Sequence, residues 1–151
     1  MTIGELCNRE VVVAERTETV VEAAKLMRRH HVGDLVVVEE RSGQRVPVGI
    51  VTDRDLVVEV VAEEVAPGQV TVGDVMSTEL ITVFEHQDAA DAMERMRSGG
   101  VRRIPVVDDQ GVLQGIITVD DLVDLFAEQM QELAKLIRRE RQREQDNRSM
   151  P

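Results

Sequence analysis

The sequence predicts two tandem copies of a β-α-β-β-α unit followed by an extended C-terminal helix. Two observations carry that expectation. Thr2-Ile3-Gly4-Glu5-Leu6 matches Thr71-Val72-Gly73-Asp74-Val75 at an offset of 69 residues, and the same offset takes Val11-Val12-Val13 onto Leu80-Ile81-Thr82 and Met27 onto Met96. Self-similarity held in register over this length marks one structural unit written twice. The second observation is a stretch that recurs almost unchanged. Gly49-Ile50-Val51-Thr52-Asp53-Arg54-Asp55-Leu56 returns as Gly115-Ile116-Ile117-Thr118-Val119-Asp120-Asp121-Leu122. A short apolar run that ends in Thr, with Asp three residues later, reads as a buried strand entering a helix.

Taken in order, each copy starts with a short lead-in and a strand at Val11–Val13 or Leu80–Val83. A helix follows at Thr19–His30 or Asp88–Ser98. Val20, Ala23, Ala24 and Met27 fall at the three-to-four residue spacing of a helix with one apolar face. Strands are expected at Leu35–Val38 and Val48–Val51, and at Ile104–Val107 and Leu113–Ile117. Between them the first copy has the longer turn, Arg41-Ser42-Gly43-Gln44-Arg45 against Asp109-Gln110-Gly111, which lowers the offset to 66. The closing helices start at Arg54 and Val119. The first of these carries Leu56, Val57, Val58, Val60, Val61 and Val65, too apolar all round to be covered on one side only. The second cover is either the equivalent helix of the second copy, with Leu122, Val123, Leu125 and Phe126, or a second chain, and self-association is expected. The helix of the second copy continues through Met130, Leu133, Leu136 and Ile137, then dissolves from Arg138 into a solvated, charged tail, for which docking to a partner is the competing role. The resulting division is residues 1–66, 67–128 and 129–151.

Twenty-nine acidic and eighteen basic residues give a net charge of −11, which repels nucleic acid and anionic membranes alike. Trp and Tyr are absent and there are two Phe, so base-stacking platforms are missing and the core must be aliphatic. No apolar run reaches membrane-span length and the N-terminus lacks a signal-peptide pattern, so a soluble, cytoplasmic protein is expected. The single Cys7 suits a reducing compartment and reads as a small apolar filler. Phosphate-loop, nucleophile-elbow and zinc-protease motifs are lacking, so no enzyme and no catalytic cofactor are expected. His30, His31 and His86 lack metal-ligand spacing.

The Thr-x-x-Asp pairs, Thr52 with Asp55 and Thr118 with Asp121, suit two roles. Each can cap its helix, or the free N–H groups of the helix start can receive an anion. Together with Val-Arg-Arg-Ile-Pro-Val-Val-Asp (residues 101–108), a short turn and Gly-Ile-Ile-Thr-x-x-Asp-Leu, these segments resemble the cystathionine-β-synthase (CBS) domain family over roughly residues 1 to 128. Two copies resemble the CBS domain pair called a Bateman module.

That resemblance implies an α+β fold with pseudo-two-fold symmetry, further dimerisation, and an adenosine-type ligand such as AMP, ADP, ATP, NAD or S-adenosylmethionine. It gives the ribose hydroxyls to Asp55 or Asp121 and the phosphate to Thr52 or Thr118. It also implies a cation two residues before the Pro-Val strand, a place held by Arg103 with Arg102 beside it. The first copy has Asp34 there, preceded by Gly33. An acid repels phosphate, so the first site either fails or takes its cation from across the pair, and the second copy is the stronger candidate. Adenine is expected against Val12 and Val13, or Ile81 and Val83, for which plain core packing is the competing role. The expected function is a stand-alone regulatory module that binds an adenine nucleotide between its repeats as a homodimer and signals to an unidentified protein. The alternative is an interaction module with vestigial sites.

Overall fold

Each copy folds as a three-stranded sheet carrying helices, in the computed structural model that describes residues 1–149. The first runs α1 (Ile3–Leu6), β1 (Val13–Glu15), α2 (Val20–His30), β2 (Asp34–Arg41), β3 (Gln44–Thr52) and α3 (Asp53–Leu56), the last extended by a π-helical turn at Val57–Val61. The second runs α4 (Val72–Val75), β4 (Val83–Phe84), α5 (Ala89–Gly99), β5 (Arg103–Val107), β6 (Leu113–Thr118) and α6 (Val119–Ser149). In both sheets the first strand is parallel to the second and the second antiparallel to the third. This is the expected α+β pair of β-α-β-β-α repeats with a long C-terminal helix.

Local chemistry accounts for the long helices. Thr19 and Asp88 cap α2 and α5 by accepting from the N–H groups of Glu22 and Asp91. Both helices end on a left-handed residue, His31 in one copy and Gly100 in the other. The core is built from aliphatic side chains, Ala and Met.

The lead-ins are exchanged between the copies. Ile3 of α1 is wholly buried among Val83, Ala92, Met96, Ile104, Ile117 and Leu122 of the second copy. Reciprocally, Val72 and Met76 lie in the core of the first copy with Ala14, Ala23, Leu35 and Val51. The crossing chain is fastened by backbone pairs: Asn8 with Ile116 at 2.9 Å in both directions, and Ser77 with Ile50 at 2.9 and 3.2 Å. This exchange corrects the first strands. Because the residues before them cross to the other copy, β1 starts at Val13 rather than Val11, and β4 holds only Val83 and Phe84.

Two further expectations change. Of the apolar run after α3, Val60 turns inward, while Val57 and Val61 stay 58% and 65% exposed, so the second repeat does not cover them. Helix α6 does not dissolve at Arg138 but continues to Ser149. From Val119 to Ser149 it contains neither Gly nor Pro, and side chains one turn apart are joined, Lys135 to Glu132 and Gln142 to Asp146 at 3.0 Å each. Residues 150 and 151 of the predicted tail lie outside the described residues. Among those residues no helix is long and apolar enough to cross a membrane.

Candidate functional site

At both helix starts the Thr and Asp cap each other. The Thr52 hydroxyl oxygen accepts from the Asp55 N–H at 3.1 Å, and Asp55 Oδ2 accepts from the Thr52 N–H at 2.9 Å. Thr118 and Asp121 do the same at 3.2 and 2.8 Å. The cap uses the hydroxyl only as an acceptor and one carboxylate oxygen of two. The Thr proton and Asp Oδ1 are left over, so capping and ligand contact are compatible.

The surroundings separate the two copies. Thr52 and Asp55 open onto a cleft of about 650 Å³, and the far wall belongs to the second repeat: Glu79, Leu80, Ile81, Val101, Arg102 and Arg103. Thr118 opens onto a cavity of about 160 Å³, lined from the first repeat by Glu10, Val11, Val12, Val32 and Asp34. These walls are repeat equivalents at the offset of 69: Glu79 with Glu10, Leu80 with Val11, Ile81 with Val12, Val101 with Val32. The cavities are thus one site written twice, and each combines a helix start from one copy with a strand lead-in from the other.

This regroups the candidate residues. Arg102 and Ile81, expected beside Thr118 and Asp121, line the cleft of Thr52 and Asp55. Val12 and Thr118 share the smaller cavity, and Asp121 lines neither. Val83 is 1% exposed and belongs to the core. Val13 lines a hollow of about 500 Å³ with Leu26 and His30, which adjoins the smaller cavity and shares Glu10, Val11, Val12 and Val32 with it. Asp53, Arg54 and Glu79 also line the larger cleft, and Gly99 leaves the space that Ile81 fills. Their repeat equivalence was visible in the sequence; the crossing of the chain that pairs them was not.

Arg103 borders both cavities, as does its repeat equivalent Asp34. The two meet each other across the pseudo-two-fold, Arg103 Nε lying 2.9 Å from Asp34 Oδ2. The ion pair is close but poorly directed, for this buried oxygen receives no hydrogen bond from the described residues. Burial pushes the Asp34 carboxyl above its ordinary pKa, opposed by Arg103 and reinforced by Asp53. The native state therefore takes up this proton more readily than the unfolded chain. The stabilising contribution is complete below the unfolded value, about 4, and is lost as pH rises through the higher folded value.

Two outcomes follow. Asp34→Asn should flatten this part of the stability-against-pH profile, measured by urea unfolding; an unchanged slope would contradict the burial effect. Arg103→Ala leaves a buried acid without its partner and should cost about 1–3 kcal/mol in the same assay at neutral pH.

Known proteins share this fold. A family model of the CBS domain matches residues 3–62 and again 72–128. An uncharacterised protein of Methanopyrus kandleri is 41% identical over 125 residues, covering 83% of this chain and 62% of that protein, so the chain spans less than two thirds of this relative. The CBS domain-containing protein YhcV of Bacillus subtilis is 36% identical over 121 residues, 80% of this chain and 82% of that one. A CBS domain pair solved in complex with 5′-methylthioadenosine and S-adenosyl-L-methionine superposes with a TM-score of 0.73 at 25% identity, covering 85% of this chain and 98% of that chain.

Proposed function

The chain belongs to the CBS domain family, and on that premise we propose that it is a non-enzymatic regulatory module whose cleft at Thr52 and Asp55 takes an adenosine-containing ligand. The observation that carries this reading is the origin of the cleft walls. Thr52 and Asp55 come from one repeat, and Ile81, Arg102 and Arg103 from the other. A ligand there touches both halves at once. The Asp55 carboxylate accepts from vicinal ribose hydroxyls, Ile81 packs on the base, and Arg102 and Arg103 face the phosphate. To reach a phosphate, Arg103 exchanges its contact with Asp34 for one with the ligand. Ligand thereby favours one placement of the repeats over another, the unequal affinity that any signal requires.

Charge narrows the ligand. Four carboxylates, Asp34, Asp53, Asp55 and Glu79, line the cleft beside three guanidinium groups, Arg54, Arg102 and Arg103. A ligand with one phosphate or none suits that balance better than a triphosphate. In a thermal-shift panel AMP should stabilise the protein more than ATP at equal concentration. At about 100 times its dissociation constant a ligand adds about 2.7 kcal/mol to the folded state. Lack of stabilisation by every adenosine compound would overturn the reading in favour of an interaction module with vestigial sites.

The exposed Val57, Val58, Val61 and Val65 support a homodimer, since contiguous apolar surface on a soluble chain marks a contact face. The regulated protein would read the dimer's geometry. A cytoplasmic setting fits a nucleotide-responsive module with one free cysteine.

A further inference from the structure

Beyond Leu125 every described residue of α6 is exposed, so 24 residues of helix, roughly 36 Å at 1.5 Å per residue, stand away from the body. This projecting segment is not uniformly polar. Phe126, Met130, Leu133 and Ile137 are 37%, 65%, 54% and 50% exposed and recur at alternating steps of four, three and four, the spacing of a coiled-coil seam. A lone solvated helix with such a stripe is marginal in water, and the stripe needs a cover.

The charge pattern identifies the cover. From Val119 to Glu132 the helix carries five acidic and no basic residues; from Leu133 to Ser149 it carries six basic and three acidic. Two parallel copies would set like against like. Two antiparallel copies set each acidic half against a basic one.

We propose that the projecting half of α6 pairs antiparallel with the same helix of a second copy, Met130 of each opposite Leu133 of the other. The register follows from the seam. It puts Phe126 opposite Ile137 and makes all four central layers apolar. Ala127 and Ala134, beside the seam, are small enough to let the helices approach closely. Asp120 then faces Arg141 of the second copy. Where the seam turns polar, Glu140 and Glu144 come opposite Val123 and Val119, which line a groove that Arg97 and Arg102 also border. This contact deepens the homodimer proposed above by adding to the Val57–Val65 face a second surface, on which pairing depends and which has a direction and a register.

The test uses the full chain with Cys7→Ser, which removes its sole cysteine. Ala127→Cys and Ala134→Cys are added in separate preparations, mixed, and treated with a short bismaleimide. Rapid joining of unlike chains, with little joining in either preparation alone, is the expected result. Faster joining within each preparation than between them would overturn the antiparallel register. Light scattering supplies the second readout: wild type should have twice the chain mass, and Leu133→Glu should return it to the mass of one chain. A dimer that survives Leu133→Glu but is abolished by Val61→Glu would overturn the α6 contact and leave the dimer reading standing. A wild-type monomer would overturn both.

Discussion

Ile3→Ala is expected to destabilise the whole repeat pair by about 2–5 kcal/mol, the range for truncating a buried Ile in a close-packed core. Ile3 is fully buried, yet it belongs to the lead-in of the first copy and its neighbours are Val83, Ile104, Ile117 and Leu122 of the other copy. Because Val72 and Met76 make the reverse journey, neither core is complete without a segment from the other half. The two copies should therefore unfold together. Urea denaturation followed by far-ultraviolet circular dichroism should give one transition in wild type and one, at lower urea, in the variant. Two transitions with only the second displaced would show that the halves fold independently and contradict the exchange.

Gly115→Ala should be nearly as damaging. The Gly is required by close approach, for a Cβ there would sit 2.7 Å from the Asn8 carbonyl oxygen and 2.6 Å from Cys7 Sγ. Its repeat equivalent Gly49 is crowded likewise, with the Ser77 carbonyl oxygen 2.6 Å from the same position. These are the points where the exchanged lead-ins cross the opposite sheet. The obstacle is backbone held by two hydrogen bonds, so relief requires the crossing strand to move. Overpacking of this kind costs about 1–3 kcal/mol or more. Gly68→Ala, with open space around it, serves as the control and should stay within about 0.5 kcal/mol of wild type. Equal effects at Gly68 and Gly115 would refute the close approach.

These two substitutions mark the boundary of what the sequence discloses. The paired Thr-x-x-Asp segments announce both a helix start and a repeat, since capping is local chemistry and a repeated unit repeats its caps. Exchange of the lead-ins is long-range and leaves no local trace. It explains why Ile81 and Arg102 join Thr52 rather than Thr118. Asp34 teaches the same lesson. Read alone, it is an acid placed where a phosphate-binding cation is expected. In the fold its repeat equivalent Arg103 lies across the pseudo-two-fold from it, and the two charges meet at 2.9 Å. The C-terminal helix differs again, because its charge content alone predicts a solvated tail, whereas the order of those charges along the helix and the lack of any breaker keep it helical to Ser149.

In the proposed function, ligand occupies the cleft at Thr52 and Asp55. Asp55 and Asp121 make matching caps, accepting at 2.9 and 2.8 Å from the N–H of their own Thr, so Asp55→Ala and Asp121→Ala should each lose one such hydrogen bond, about 1 kcal/mol. Only one of them faces the larger cleft. Calorimetric titration of AMP into both variants separates cap from site. Asp55→Ala should weaken binding at least tenfold, about 1.4 kcal/mol, with Asp121→Ala within about twofold of wild type. Loss of binding in Asp121→Ala with retention in Asp55→Ala would contradict the account.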